Sequence, residues 1–460
     1  MKGRFFCRGA AVAAAIIVAV LSLGIVALSP SPAWALPSFA RQTGQGCPAC
    51  HTNFPELTPF GRQFKLNGYT LSNGESKIPP FAAMVQTGFT NTRTAQPGEA
   101  APGFGANDNF SLEAASLFYG GKVVDNLGAF IQATYSDTSK TMSWDNTDIR
   151  YANTANVFDH DLTFGLNFNN NPTVSDIYNT TPAFNFPFAG PSLAPSPAAA
   201  TLIEGGLAQQ VGGLGAYGML DDTLYAEVSV YKTLWRSMQR GFGVNTGSEA
   251  EIDGGAPYWR LALQHQWGDH FAEIGTFGLY ANTFPARIHD FGDDKFVDTG
   301  IDATYQYILE HHIFGFYGSW IHEDQTFGAS QQLGATANPS DTLNSLRLRG
   351  SYTYSRDWSK YGFTVQYFSI NGSTDTGLYA PGALTGSNNG SPNSNGWIFE
   401  LDYLPFINRD TIPFWPWAQV KFSLQYTLYN KFNGAGTNYD GAGRNASDNN
   451  TLFLLAWFAF

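Results

Sequence analysis

AQVKFSLQYTLY, from Ala418 to Tyr429, sets Val420, Phe422, Leu424, Tyr426 and Leu428 against Lys421, Ser423, Gln425 and Thr427. A period of two is the period of a β-strand, whose successive side chains point to opposite faces. The pattern recurs. DLTFGLNFN puts Leu162, Phe164, Leu166 and Phe168 on one side, and TLYAEVSVY sets Leu224, Ala226, Val228 and Val230 against Glu227 and Ser229. The C-terminal TLFLLAWFAF keeps Leu452, Leu454, Ala456, Phe458 and Phe460 in step. Strands of about ten residues, apolar on one face and polar on the other, are the signature of a transmembrane β-barrel with lipid outside and a polar lumen.

The connections carry a second signal. About sixteen strands can be placed, starting with FAAMVQTGFTNT, with the weakest assignments near TDIRYAN and within GGLAQQVGGLGAYGML, so that fourteen or eighteen also fit. Long Gly/Asn/Ser/Pro-rich segments follow strands 1, 5, 7, 9, 11, 13 and 15. Short ones such as VVDN, DDT, GDH, LEHH and SRDWSK fall between. Short periplasmic turns and long outer loops show this asymmetry. A soluble sandwich would alternate similarly, but would explain neither the loop rhythm nor aromatic residues near strand ends. Trp259, Trp267, Tyr305, Tyr307, Trp415 and Trp417 suit an interfacial girdle. The expected fold is all-β: a transmembrane antiparallel barrel of about sixteen strands over residues 80–460, preceded by a small helical plug segment at 36–79.

Composition agrees. The 460 residues are 13% charged and 15% aromatic, and past the first thirty no apolar run is long enough for a transmembrane helix. MKGRFFCR, then AAVAAAIIVAVLSLGIVAL, then Ala33-Trp34-Ala35 reads as a secretory signal peptide over residues 1–35, with an uncleaved anchor as the alternative. Cleavage after Ala35 removes Lys2, Arg4 and Arg8, leaving 22 basic against 37 acidic residues, a net charge of −15. Such a chain repels nucleic acid and attracts cations. It also removes Cys7, so that only Cys47 and Cys50 remain.

These two stand in CPACH, followed at once by His51. Cysteines at i and i+3 with histidine at i+4 share one side of a helical turn. There two thiols can add to the vinyl groups of one haem, and the imidazole reaches the iron. A thioredoxin-like pair would need a βαβ setting, zinc would need further ligands, and a disulfide across so short a loop gains little. One covalent haem c is therefore expected on Cys47, Cys50 and His51. Phe54, Leu57, Phe60 and Phe64 give the following segment an apolar face, and Arg41, Arg62 and Lys65 are candidate propionate partners. Leu36 to Pro79 is only 44 residues, too few for a core alone. The economical place for the segment is the barrel lumen. If Phe81, Ala83, Val85 and Phe89 meet lipid, Met84, Gln86 and Thr90 point inward, and Met84 becomes a candidate second iron ligand beside His51. Met142 and Met238 fall in expected outer loops, Met219 near a turn, and His311-His312 in a periplasmic turn; His265, His270 and His322 are scattered. Glu113, Glu227, Asp302, Glu400 and Asp402 face the expected lumen, with Arg347 and Arg349 to balance them.

FARQTGQGCPACHTNFPELTPFGRQFKLNGYTL closely resembles the N-terminal signature of the fused outer-membrane monohaem cytochrome c–porin family, the iron-oxidising outer-membrane cytochromes of Fe(II)-oxidising bacteria. The match is carried by Phe39 to Gly44, Cys47, Cys50, His51, Phe54, Pro55, Leu57, Phe60 to Arg62, Phe64 and Gly68 to Thr70. The resemblance implies a haem c plug in a roughly sixteen-stranded barrel in the outer membrane, with the N-terminus and short turns periplasmic. It implies electron flow from extracellular Fe(II), or another donor, to a periplasmic c-type cytochrome, an Fe(II)–cytochrome c reductase-type activity. The terminal Phe460 resembles the last residue of bacterial outer-membrane proteins. The competing reading is a diffusion porin whose haem segment is a structural plug.

Intact-mass analysis of the exported chain should give a polypeptide beginning at Leu36 and carrying the added mass of one haem. A chain retaining residues 1–35 would contradict the expected cleavage.

Overall fold

The computed structural model describes residues 36–74, 78–244, 250–356, 359–407 and 417–460. The expected signal peptide and Trp415 lie outside these residues. The strands are β1 (Phe81–Thr92), β2 (Asn109–Val124), β3 (Leu127–Ser136), β4 (Thr141–Val157), β5 (His160–Asn169), β6 (Val211–Leu220), β7 (Leu224–Thr233) and the two-residue β8 (Glu251–Ile252). They continue with β9 (Ala256–Trp267), β10 (His270–Phe284), β11 (Asp294–Ile308), β12 (His312–Phe327), β13 (Ser340–Arg356), β14 (Ser359–Gly372), β15 (Ser394–Leu404), β16 (Gln419–Lys431) and β17 (Thr451–Ala459).

Each full strand pairs antiparallel with the next, and β7 passes directly to β9. The sheet closes on itself through β1 and β17, with Thr87 opposite Ala456. Phe460 seals the seam, exchanging backbone hydrogen bonds of 2.7 and 2.8 Å with Ala83. Setting aside β8, sixteen strands form a closed antiparallel barrel, as the alternation implies. The opening stretch resolves as read: Leu424 is 42% exposed on the outside and Gln425 1% exposed within. Leu166, Leu214, Val228, Ile274, Phe316 and Leu401 continue the outward apolar surface. No described helix is long and apolar enough to cross a membrane. Closure leaves no edge of unpaired backbone, which is what hydrocarbon demands of a spanning sheet.

One expectation is corrected. Met142 lies in β4, not in a loop. The link between β15 and β16, residues 405–418, falls on the short-turn side yet is long. Trp417 there lies under the Arg41 guanidinium, 4.9 Å from its ring centre.

The lumen is filled from two sources. One is the plug, with α1 (Pro37–Thr43), α2 (Cys47–Cys50) and α3 (Pro59–Leu66). Proline opens α1 and α3, Gly44 ends α1 in a left-handed conformation, and the Thr58 hydroxyl caps α3 by accepting from the Gly61 N–H at 3.1 Å. A Cβ on Gly61 would collide with the Cys50 carbonyl oxygen, so α3 seats against α2 only because residue 61 is glycine. Gly128 on the wall makes the same allowance for the plug backbone at Gly68, whose carbonyl oxygen occupies the place a Cβ would need.

The second filling was not foreseen. The β5–β6 connection, residues 170–210, folds inward and crosses the lumen. Val174, Ile177, Phe184, Phe186, Leu193 and Ile203 are buried along it. Its anchor is Arg260 of β9, fully buried. Arg260 grips Asp302 of β11 bidentately at 2.8 and 2.9 Å, Asp176 of the connection at 3.0 Å and Glu273 of β10 at 3.3 Å.

Arg260→Ala leaves these carboxylates buried without their cation and should cost ~3–5 kcal/mol. A lowered unfolding temperature, with new proteolytic cuts within residues 170–210, is the expected readout. An unchanged digestion pattern would contradict the anchor.

Candidate haem-binding cavity

Plug and wall enclose an apolar cavity that is partly open to solvent. From the plug, Phe39, Cys50, His51, Phe54, Leu57 and Phe64 line it. Met84, Phe118, Phe130 and Trp457 face them from the wall, and Phe184 and Phe188 come from the inward connection. Leu404 and Gln419 flank the short-turn link 405–418, so the cavity sits at that end of the barrel.

His51 follows α2 directly. Its Nδ1 lies 3.2 Å from the Glu56 carbonyl, to which an Nδ1–H donates, leaving Nε2 as the lone-pair nitrogen. Burial lowers its pKa to about 4, which keeps the ring neutral, as a metal ligand must be. The Phe54 ring, 4.9 Å away, and Lys360 Nζ, 3.0 Å from the His51 carbonyl oxygen, fix the residue from either side. Cys50 lines the cavity and Cys47 opens α2; the Cys47 side chain lies outside the described atoms. Met84, on β1, is buried and points inward as its register implies. It packs with Phe64, Tyr69, Phe118 and Phe130. The structure therefore brings Cys50, His51 and Met84 to one cavity.

The plug is tied to the wall on several sides. Glu56 Oε2 accepts from the Tyr317 hydroxyl at 2.8 Å and the Ser351 hydroxyl at 3.0 Å, and its Oε1 lies 3.5 Å from Arg349 Nε. Asn53 donates to the Thr364 hydroxyl at 3.1 Å, the Tyr217 hydroxyl to the Leu66 carbonyl at 2.8 Å, and the Tyr69 hydroxyl to Asp148 at 2.6 Å.

The candidate propionate partners separate. Lys65 lines the cavity and donates to Asn179 at 2.9 Å; burial lowers its pKa to about 7. Arg62 turns away to the Leu57 carbonyl and Gln306, stacked 3.4 Å from the Phe271 ring centre. Arg41 donates to the Phe81 carbonyl at 2.6 Å and is not in the lining. Among the lining groups that were missed are Lys421, Gln419 and Trp457. The Trp457 Nε1–H and Gln419 Nε2 are buried without a protein acceptor. The inward register of TLFLLAWFAF already marked Trp457.

The lumenal carboxylates are balanced differently from expectation. Arg260 holds Asp302, and Lys421 holds Glu400 and Asp402 at 3.3 and 3.0 Å. Arg347 pairs with Glu204 at 2.9 Å and Arg349 with Glu56. No group of three or more metal-binding His, Cys, Asp or Glu side chains occurs among the described residues. His265, Trp267, His270 and Tyr307 stack with one another at the short-turn ends of β9, β10 and β11, and His312 lies 2.9 Å from the Tyr352 hydroxyl.

The residues present fit a haem c. They offer an aromatic-walled cavity, a neutral imidazole with a free Nε2, a thiol beside it, a thioether on the facing wall, and buried N–H donors on Gln419 and Trp457.

No family model and no curated protein matches the chain. Among solved structures it is similar to OmpT, an outer membrane protein of Vibrio cholerae, at 12% identity and a TM-score of 0.43 over 83% of this chain and 98% of that one. It is also similar to the anion-selective porin from Comamonas acidovorans at 10% identity and TM-score 0.45, over 82% and 98%. Pseudomonas putida OprB gives 11% identity and TM-score 0.48, over 83% and 94%. The barrel rests on its own strand pairing, independently of these likenesses.

In the haem-loaded protein, Met84→Ala should abolish a sulfur-to-iron charge-transfer band while leaving the covalent haem in place. An unchanged spectrum would reduce Met84 to a lining residue.

Proposed function

We propose that the chain is an outer-membrane monohaem c-type cytochrome–porin fusion. It carries electrons from an extracellular donor, Fe(II), to a periplasmic c-type cytochrome. The observation that supports this most is the meeting of the C-x-x-C-H histidine with Met84 in one apolar cavity inside a closed barrel. Haem c, when bound, supplies a one-electron couple that lipid and protein otherwise lack.

The chain's own residues hold and shield that group. The thiols of Cys47 and Cys50 tether it, His51 offers Nε2, and Met84 offers a thioether, which favours reduced iron. Phe54, Phe188 and Trp457 are in mutual contact, with centroids 4.8 Å apart for Phe54 with either partner, and give the cavity an aromatic wall. The outward apolar surface suits lipid, and closed barrels of this kind belong to outer membranes. With the N-terminus and short turns periplasmic, the cavity stands near the mouth where a soluble acceptor would dock. Ferric iron precipitates near neutral pH, so oxidation is best confined to the outside. The same conduit could serve a different extracellular donor.

A diffusion porin with a structural haem plug is the second reading, favoured by a polar chamber that adjoins the cavity. Two measurements separate them. Stopped-flow mixing of the oxidised protein with Fe(II) should give rapid reduction, and planar-bilayer recordings should show an almost closed pore. Free ion conductance with no reduction by Fe(II) would favour the porin.

A further inference from the structure

The polar chamber is lined by Gln86 of β1, Gln132 and Thr134 of β3, Asp145 and Asn146 of β4, and Asn185 of the inward connection. It shares Met84, Gln132 and Phe188 with the haem-binding cavity. Thr134 lies two residues from the end of β3 that leads into connection 137–140 on the long-connection side. A row of cross-strand neighbours runs from there to the cavity: Asp145 accepts from Thr134 at 2.7 Å, Thr134 meets the Ser116 hydroxyl at 2.8 Å, and Ser116 pairs with Met84.

Two groups in this chamber are unspent. Gln86 is 5% exposed, yet its Nε2 has no partner and no described residue hydrogen-bonds to its amide. Asp145 is half-buried and accepts from Thr134, the Asn146 N–H at 2.7 Å and Gln209 at 3.4 Å. No described cation pairs with it, whereas Asp302 and Asp402 each have one. A bulge between Gln86 and Thr87 leaves Glu113 without a register partner beside the chamber-lining Ala114. Glu113 reaches Ser111 at 2.7 Å and the Ser192 N–H at 3.3 Å, again with no described cation.

We propose that this chamber binds a small hydrated divalent cation and places it against the wall it shares with the haem-binding cavity. A carboxylate with amide oxygens suits a hard cation. With no three-ligand cluster among the described residues, the ion keeps its water, which donates to Asp145 and to the side-chain oxygens of Gln86 and Asn185, while a water oxygen of the chamber accepts from Gln86 Nε2. An anion is repelled by Asp145. This inference rests on the electron-conduit reading and names where its donor docks.

The test uses the full chain in detergent and Mn(II), a redox-inert probe whose free-ion resonance signal disappears on binding. Wild type should bind Mn(II), with about tenfold weaker binding in Asp145→Asn and weaker binding in Gln86→Leu. Should Asp145→Asn fail to insert, Ala183→Leu narrows the chamber without touching a charge and carries the same expectation. Binding unchanged in these variants overturns the proposal. Fe(II) mixing separates the two levels. If Fe(II) reduces wild type and Asp145→Asn equally fast, the chamber is wrong and the conduit stands. If Mn(II) needs Asp145 but Fe(II) never reduces the protein, the site stands and the conduit falls.

Discussion

A cylinder of sixteen strands encloses more volume than its own wall side chains can occupy. Either water fills the remainder or chain does, and here chain does. The wall's polar inner face, set by the alternation that gives lipid its apolar outer face, supplies the bonds that hold the filling. Arg260, Arg349, Tyr317 and Thr364 are wall residues whose partners lie on the inward connection or the plug. The plug could not bury its aromatic side chains by itself; within the wall, Phe64 falls to 4% exposure. Barrel closure is thus the condition on which the cavity exists.

The cavity draws on widely separated stretches of chain. The plug brings His51 and Cys50, the first wall strand brings Met84, and the inward connection brings Phe184 and Phe188. Several of the polar contacts that hold these stretches lie away from the cavity, such as Glu56 with Tyr317 and Asp176 with Arg260, and the lining is mostly apolar. The polar groups spared from that holding gather next door, around Gln86 and Asp145.

Much of the wall was legible because a period of two, recurring across many segments, means strands with opposed faces, and the loop rhythm tells a barrel from a sandwich. Leu424 and Gln425, or Val228 and Glu227, divide between outside and inside as their spacing requires. Met84 was legible for the same reason. What stayed hidden was what long-range packing decides. Residues 170–210 carry the Gly, Pro and Asn content of an ordinary surface loop. Nothing local marks them as crossing the lumen, since the reason is Arg260, far along the chain on β9, and its grip on Asp176. Even the first residue of the connection is held from elsewhere: the Asn170 side chain accepts from the Thr147 N–H and donates to the Asp145 carbonyl, both at 2.7 Å. The propionate candidates show the same limit. Arg41 and Arg62 are as basic as Lys65, and only the packing of α1 and α3 decides that, of the three, Lys65 alone faces the cavity.

The central claim is that the segment bearing His51 is seated inside the barrel. It is tested most directly by replacing Asn53 and Thr364, which are joined by a hydrogen bond of 3.1 Å, with a pair of cysteines. Non-reducing denaturing electrophoresis of the oxidised, membrane-extracted protein should show the altered migration of a chain closed between these positions, reversed by reductant. A folded barrel in which both new thiols stay open to alkylation would place the segment outside the lumen and contradict the account.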